Sequence, residues 1–246
     1  MDTTPLVSLS LAQAMRLELD VLANNMASAS TAGFKGEKIL FETHLQRAPA
    51  GSDRESVNFI SHRGSYIDEA GGEMLPTGNP LDVAVQGGWL TYRTEDGSLA
   101  IGRDGRFLQD GNGQLVTASG ATVLDAGGAP VLLPPGGVDG IKIAKDGTIT
   151  SGDGAVVGRL GLVEMDQVDG LERMSGALFR LPADVTPVPA LLAEVTQGAL
   201  EQSNVKPVLE MTRMMTIQSA YDRAQKIIND DDDLKKNFLQ RIGRVA

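Results

Sequence analysis

Residues 11–33 read LAQAMRLELDVLANNMASASTAG and predict a long helix near the start of the chain. Between about Leu6 and Ala32, apolar side chains recur at intervals of four, four, three and four residues, which places them on one helix face. These residues are Leu11, Met15, Leu19, Leu22 and Met26. Gly33 is the expected stop, because glycine accepts the left-handed conformation that ends many helices. At about 1.5 Å per residue, such a helix is ~40 Å long.

A second long helix is predicted at the other end of the chain, from about Asn204 to Ile242. Its apolar seam has heptad-like spacing and consists of Met214, Ile217, Tyr221, Ala224 and Ile228, with Val208 and Met211 upstream. Pro207 fits only the first turn of a helix, where its missing N–H is tolerated. The candidate caps are Ser203, Asn204 and Lys206. The acidic run 230–233 is interpreted as a solvated helix face rather than a cation site.

Neither helix has a sequence neighbour that could cover its apolar stripe, so each is expected to dock on the other or on another chain. Across this seam we expect a methionine-rich contact, because methionine adapts to irregular gaps; it would join Met15 and Met26 to Met211, Met214 and Met215. Two amides in the first helix, Asn24 and Asn25, either fix the register of the seam or face water. The predicted assembly interface consists of Leu11, Met15, Leu19, Leu22, Asn24, Asn25, Met26, Met211, Met214, Ile217, Tyr221 and Ile228.

The middle of the chain predicts a compact, mostly antiparallel β domain over residues 76–188. Asp-Gly pairs between short apolar runs are strong hairpin signals; they occur at 96–97, 104–105, 110–111, 139–140, 146–147, 153–154 and 169–170. The strands predicted between these turns cover residues 81–85, 141–143, 155–157 and 160–163. The segment 35–75 is expected to be extended or irregular, and 189–246 to hold a return segment and the last helix. The predicted fold class is α+β. The two terminal helices, one before and one after the β domain in the sequence, are expected to pair in a coiled-coil-like manner.

Composition excludes several classes of function. The net charge of −10 disfavours a nucleic-acid partner, because an acidic chain repels phosphate. The absence of cysteine excludes disulfides and thiolate chemistry, and an aromatic content of 4% predicts a mainly aliphatic core. No apolar run reaches the ~18 residues that span a bilayer. The start, residues 1–5, has no basic segment, so a cleaved signal peptide is not expected.

Catalytic and cofactor chemistry is not indicated by any motif. His44 and His62 do not form a metal-ligand spacing, and there is no Gly-x-Ser-x-Gly elbow or phosphate loop. Residues 110–114, DGNGQ, alternate oxygen ligands as a calcium loop does, but they lack the closing glutamate and are interpreted as a hairpin turn. We therefore expect no cofactor, no metal, no small-molecule substrate and no enzymatic activity.

Three segments carry a more specific pattern. They are residues 22–35, LANNMASASTAGFK; residues 77–87, TGNPLDVAVQG, continued at 102–107 and 113–116; and residues 197–205, QGALEQSNV, followed by Glu210 and Met211. In this order they resemble the signatures of the bacterial flagellar rod and hook family, and they span nearly the whole chain. Trp89 departs conservatively from the phenylalanine usual in that family.

The resemblance implies a structural subunit with no enzymatic role. Such subunits leave the cytoplasm through the flagellar type III export apparatus, without a cleaved signal peptide. They assemble with copies of themselves and other rod proteins into the torque-transmitting rod of the basal body, which crosses the periplasm. Their terminal helices would form the inner tube, with the β domain outside.

Two alternatives to a proximal-rod subunit stay open. The short length and the opening Met-Asp favour the proximal rod over a distal-rod or other rod or hook subunit. A rival from another class is a secreted β-domain enzyme with helices for oligomerisation, which would need a polar cleft with perturbed acids.

Overall fold

The computed structural model describes residues 4–46, 57–134, 138, 140–165, 171–182 and 185–242. It divides into two compact units. The helical unit consists of Met1–Ala27, Glu37–Tyr66 and Lys206–Ala246, and the β unit consists of Ser28–Gly36 and Ile67–Val205. Within the described parts of the chain, no helix is long and apolar enough to cross a membrane.

Two helices dominate the helical unit, α1 over Thr4–Ala27 and α2 over Pro207–Ile242, and they pack against each other. The predicted pairing of the terminal helices is therefore confirmed. Pro207 opens α2, as its missing N–H requires. The first helical hydrogen bonds run from the N–H groups of Leu209 and Glu210 to the carbonyl of Lys206, at 3.0 and 3.1 Å. Lys206 is thus the cap among the three candidates.

The end of α1 differs from the prediction. The helix stops at Ala27, five residues before the predicted end at Ala32, and two turns follow it. In the first of these turns the N–H of Thr31 donates to the carbonyl of Ser28 at 3.0 Å. Serine and threonine compete with helical hydrogen bonding and favour turns, which explains the early stop. Gly33 does adopt a left-handed conformation, with φ of +67°, but it lies in the second of these turns and not at the helix end.

A pair of strands completes the helical unit. Strands β1, Glu37–Gln46, and β2, Val57–Ile67, form a two-stranded sheet within the segment that was expected to be extended or irregular. The buried Asn25 joins α1 to β1, because its amide donates to the carbonyl of Glu37 at 2.8 Å and accepts from the N–H of Glu37 at 3.0 Å. Asn24 is exposed. Asn24 therefore faces water, whereas Asn25 is buried but bonds to β1 and not across the seam between the helices.

The β unit contains fifteen of the strands in the described residues. They are β3 Met74–Pro76, β4 Val83–Gln86, β5 Trp89–Arg93, β6 Leu99–Gly102, β7 Phe107–Gln109, β8 Leu115–Thr117, β9 Thr122–Val123, β10 Lys142–Ile143, β11 Thr148–Thr150, β12 Val156–Arg159, β13 Leu162–Glu164, β14 Leu178–Arg180, β15 Val188–Pro189, β16 Glu194–Gln197 and β17 Ala199–Glu201. All four predicted strands are present, with their ends shifted by at most two residues.

The strands of the β unit pair antiparallel, as predicted. The largest sheet has the order β14-β6-β5-β9-β8-β7, and β13 pairs with both β5 and β15. A second sheet has the order β10-β11-β12, while β4 pairs with β16 and β3 pairs with β17. Strand β5 therefore has three partners and lies at the centre of the unit.

The core of the β unit is mainly aliphatic, as the low aromatic content predicts. Its largest side chain, Trp89, meets Phe179 edge to face, with ring centroids 5.8 Å apart. Tyr92 is fully buried and donates its hydroxyl to the carbonyl of Asp104 at 2.6 Å. Burial raises the pKa of Tyr92, so this phenol remains a hydrogen-bond donor.

The predicted Asp-Gly hairpins are present at four places, 96–97, 110–111, 146–147 and 153–154. In the turn at 110–111, the residue with positive φ is Gly113 and not Gly111. The turns at 139–140 and 169–170 involve residues that lie outside the described part of the chain. The hairpin predicted at 104–105 is wrong. Gly105 there allows close backbone contact, because an added Cβ would lie 1.7 Å from the carbonyl oxygen of Val83.

Two aspartates hold their hairpins by hydrogen bonds. Asp146 accepts from the backbone N–H and the hydroxyl of Thr148 at 3.0 and 2.9 Å, and the N–H bond is the main reason that its pKa is lowered. Asp153 accepts from the hydroxyl of Ser151, which is the main reason that its pKa is lowered. Hydrogen bonds to the charged form favour that form. Both turns are therefore stabilised by ionised carboxylates.

The double variant Asp146→Asn/Asp153→Asn is expected to lose stability at neutral pH but not in strong acid. The folded-state pKa of each group lies below the unfolded value of about 3.9, so the contribution is complete above that pH and disappears as pH falls through the folded pKa. Melting temperatures of both proteins, followed by Trp89 fluorescence, should converge below about pH 4. An exposed carboxylate, changed in Glu95→Gln, is the control. A temperature gap that stays constant down to pH 2 would contradict the prediction.

Candidate assembly surface

The seam of α2 against α1 has an unbroken heptad repeat. Side chains at intervals of four and three residues are buried or half-buried, whereas most of their neighbours are exposed. They are Glu210, Met214, Ile217, Tyr221, Ala224, Ile228 and Asp231. An ion pair of Arg213 with Glu18, at 3.3 Å, lies beside this seam. The spacing is that of a helix pair packed along a/d positions.

The predicted interface residues take up three kinds of position. On α1, Leu22 and Asn25 are buried, and Leu11, Met15, Leu19 and Met26 are half-buried. On α2, the half-buried positions are Met214, Ile217, Tyr221 and Ile228. Asn24 and Met211 are exposed. The methionine contact predicted across the seam is therefore wrong for Met211 and Met215, which are both exposed.

A second apolar stripe runs along the first turns of α2. Val208, Met211 and Met215 are 77%, 52% and 59% exposed, and they are spaced three and four residues apart. At about 100° per residue, Val208 and Met215 lie on the side of the helix facing away from the α1 seam, and Met211 lies between that side and the seam. Helices that are apolar on two opposite faces are normally covered on both. We call these three residues the outer stripe.

A buried charged cluster anchors the β unit. It consists of Lys35, Arg103 and Glu201, whose side chains are 0%, 9% and 3% exposed. The Nζ of Lys35 lies 2.7 Å from Oε1 of Glu201, and Arg103 Nη1 lies 3.5 Å from Oε2. Burial lowers the pKa of Lys35 and that of Arg103, while Glu201 opposes the shift in both. Sequence reasoning did not single out this cluster.

The charged cluster is fixed by backbone groups as well. Lys35 also donates to the carbonyl of Ala70 at 2.8 Å, and Arg103 donates to the carbonyl of Val85 at 2.7 Å. The N–H of Gly72 donates to Glu201 at 2.9 Å. Each cluster residue lies in one of the three segments that resemble the rod and hook family. The signal that could have revealed the cluster was therefore one charged residue in each segment.

Three segments of the β unit meet at one place, which we call the exit site and define as Gly36, Asp68 and Asn204. The N–H of Asp68 donates to the carbonyl of Gly36 at 2.8 Å. The amide of Asn204 accepts from the N–H of Gly36 at 2.8 Å and donates to the carbonyl of Asp68 at 2.7 Å. One side chain thus ties together three passages of the chain. This role also explains why Asn204 does not cap α2.

Nothing in this geometry suggests a metal centre in the described ranges. Over residues 4–46, 57–134 and the later described segments, no group of three or more histidine and carboxylate side chains is arranged to hold a metal ion. Asp110 accepts from the N–H groups of Asn112 and Gln114 at 2.9 and 2.7 Å, so the DGNGQ segment is a hairpin turn, as predicted.

Comparison with known proteins matches two parts of the chain to family models. Residues 84–151 match the flagellar hook protein FlgE/F/G D1 domain, and residues 196–241 match the C-terminal region of the flagellar basal body rod FlgEFG proteins. The first match lies within the β unit, and the second covers its last strands and most of α2.

Individual relatives match over almost the full length. The flagellar basal-body rod protein FlgF of Caulobacter vibrioides is 35% identical over 100% of both chains. FlgF of Mesorhizobium japonicum is 35% identical over 96% of each chain, and FlgG of Agrobacterium fabrum is 30% identical over 90% of this chain and 92% of its own. The chain therefore belongs to the flagellar basal-body rod protein family, which includes the proteins named FlgF and FlgG.

Proposed function

We propose that this rod-family protein is a structural, non-catalytic subunit of the proximal rod, which assembles through its helical unit with copies of itself and other rod proteins. The observation that carries the proposal is the outer stripe on α2. The stripe is apolar, it is not covered by α1, and it continues a helix whose opposite face is already packed. Covering it with a helix of a neighbouring subunit would bury three large side chains, each worth about 1.5–3 kcal/mol when fully buried.

The proximal position is supported by similarity. The relatives named FlgF described above are 35% identical to the chain, and the FlgG relative is 30% identical. The rod would transmit torque by stacking helical units around the axis, with the β units making lateral contacts. Imaging of purified basal bodies at side-chain resolution tests the position. Density for this chain at the distal end of the rod would refute the proximal assignment.

We propose that the subunit is delivered to the rod by the flagellar type III export apparatus. The assembled rod crosses the periplasm. The similarity to flagellar basal-body rod proteins over almost the full length of the chain supports this route. Mass spectrometry of the subunit from basal bodies should find its amino-terminal peptide intact. A processed amino terminus would contradict this route.

The double variant Met211→Glu/Met215→Glu is expected to fold but to be excluded from the rod. Two carboxylates in place of methionines that a neighbouring subunit would cover would cost each subunit contact about 3 kcal/mol or more, which is over ~100-fold in affinity. The readouts are swimming in soft agar and the amount of subunit in purified basal bodies, in a strain lacking the natural copy.

The control is Thr216→Glu, which adds one of these two negative charges at the exposed position next to Met215 on α2. Circular dichroism of the purified full-length variants checks that both keep their helices. If the double variant enters basal bodies as well as the Thr216→Glu control does, the outer stripe is not an assembly surface.

A further inference from the structure

The turn between β15 and β16 presents two leucines to solvent. In the run Ala190-Leu-Leu-Ala193, the alanines are buried and the leucines Leu191 and Leu192 are 85% and 91% exposed. We call this turn the leucine tip. Few residues of this size are so exposed in the described chain, and adjacent exposed apolar side chains commonly mark interaction sites.

The leucine tip is held rigidly at both ends. The N–H of Ala190 donates to the carbonyl of Leu162 at 3.0 Å, and that of Val195 donates to the carbonyl of Lys145 at 2.8 Å. At the base of the turn, an added Cβ on Gly88 would come within 3.0 Å of both alanine Cβ atoms, so the alanines are packed directly on that backbone. The leucines are therefore held away from their own core by the packing of the alanines.

The same unit contains an open apolar cavity of about 230 Å³. Its walls are mainly aliphatic and include Leu99, Leu124, Leu162, Leu181 and Pro189. An apolar cavity of about 150 Å³ in another protein accommodates benzene, so this cavity has room for a leucine side chain. We call it the aliphatic cavity. Ala126, which is exposed, lies at its edge.

We propose that the leucine tip of one subunit inserts into the aliphatic cavity of a second copy of the same chain. The two surfaces are different parts of one unit, so the contact is heterologous. Repeated heterologous contacts form a ring or an open helix rather than a closed dimer. This inference rests on the proposed rod function for its biological setting, because a lateral contact of this kind suits a helical assembly.

The small size of this contact suits an assembly of many subunits. A four-residue turn covers far less than the ~1,200 Å² that stable specific interfaces bury at minimum. The contact is therefore weak between two free subunits and is reinforced when the helical units hold many subunits together.

The chain has no cysteine, which permits a direct test. Full-length protein carrying both Leu191→Cys and Ala126→Cys is treated at high concentration with a short bismaleimide linker. A heterologous contact should give a ladder of dimers, trimers and larger species on a denaturing gel. A mixture of the two single variants should give a dimer that contains one chain of each and should not extend further.

The control pairs Ala126→Cys with Val156→Cys, an exposed valine on β12 of the same unit. We expect several-fold more cross-linked product from the tip variant than from this control. Equal yields from the two pairs would overturn the proposal. Efficient cross-linking of the Leu191→Cys single variant to itself would overturn it as well, since tips would then meet tips. The cross-linking test does not depend on whether the Met211→Glu/Met215→Glu variant enters the rod. The two proposals can therefore fail separately.

Discussion

Replacing Glu201 by alanine is expected to lower the free energy of unfolding of the β unit by about 3–5 kcal/mol. Removing one partner of a buried ion pair leaves the other charges buried without compensation. In this case Lys35 and Arg103 both lose their carboxylate, and the N–H of Gly72 loses its acceptor. Urea unfolding followed by Trp89 fluorescence measures the effect, because the single tryptophan lies in the core of this unit.

The loss should also become smaller at alkaline pH. Burial lowers the pKa of Lys35 in the folded protein, and without Glu201 the opposing interactions that raise it are removed. Between the lowered pKa and the unfolded value of about 10.4, the folded state binds fewer protons than the unfolded state. Stability of the variant therefore rises with pH across that window. The cost of Glu201→Ala should be greatest well below it.

The matched control is Glu194→Ala on the neighbouring strand. Glu194 lies 3.8 Å from Lys145, and the two side chains are 63% and 83% exposed. Exposed ion pairs of this kind contribute about 0–1 kcal/mol. If Glu201→Ala unfolds at the same urea concentration as Glu194→Ala, the charged cluster does not stabilise the β unit.

The second large effect is expected for Gly33→Ala, with a loss of about 2–5 kcal/mol. Gly33 has φ of +67°, where an alanine costs about 1–2 kcal/mol. An added Cβ would also lie 2.2 Å from the carbonyl carbon of Arg103, so backbone must shift. That shift would reach the charged cluster through Arg103. Urea unfolding followed by Trp89 fluorescence again provides the measurement.

Gly78→Ala separates the two contributions. Gly78 has a similar φ of +74°, but an added Cβ there meets no atom within 4 Å. We expect this control to lose only the conformational cost, about 1–2 kcal/mol. Equal losses for Gly33→Ala and Gly78→Ala would show that the close approach to Arg103 has no energetic consequence.

The periodic parts of the fold were predictable from the sequence. The α2 seam follows from spacing alone, because Met214, Ile217 and Tyr221 recur at heptad intervals and the helix is long. The hairpins at 96–97 and 146–147 follow from turn chemistry, since glycine supplies the positive φ that these turns require. Local rules sufficed for these elements, because the decisive interactions lie within a few residues.

Apart from the early end of α1, which local serine and threonine turns explain, the errors arose where a distant contact decides the conformation. The dipeptide Asp104-Gly105 looks like the other turns, but the carbonyl of Val83 occupies the space beside the glycine. The contact between Lys35 and Glu201 joins residues 166 positions apart, and periodicity carries no information about it. Met211 has helical spacing but lies beside the seam of α2 and is 52% exposed.

The exit site has a mechanical consequence. Gly36, Asp68 and Asn204 are joined by hydrogen bonds within a single small region, although they are far apart along the chain. Tension applied to the chain at residues 36 and 204 is therefore borne by that region, and it does not travel through the strands. A pulling load would first break the few hydrogen bonds made by Asn204, while the sheets beyond them carry no load and keep their shape.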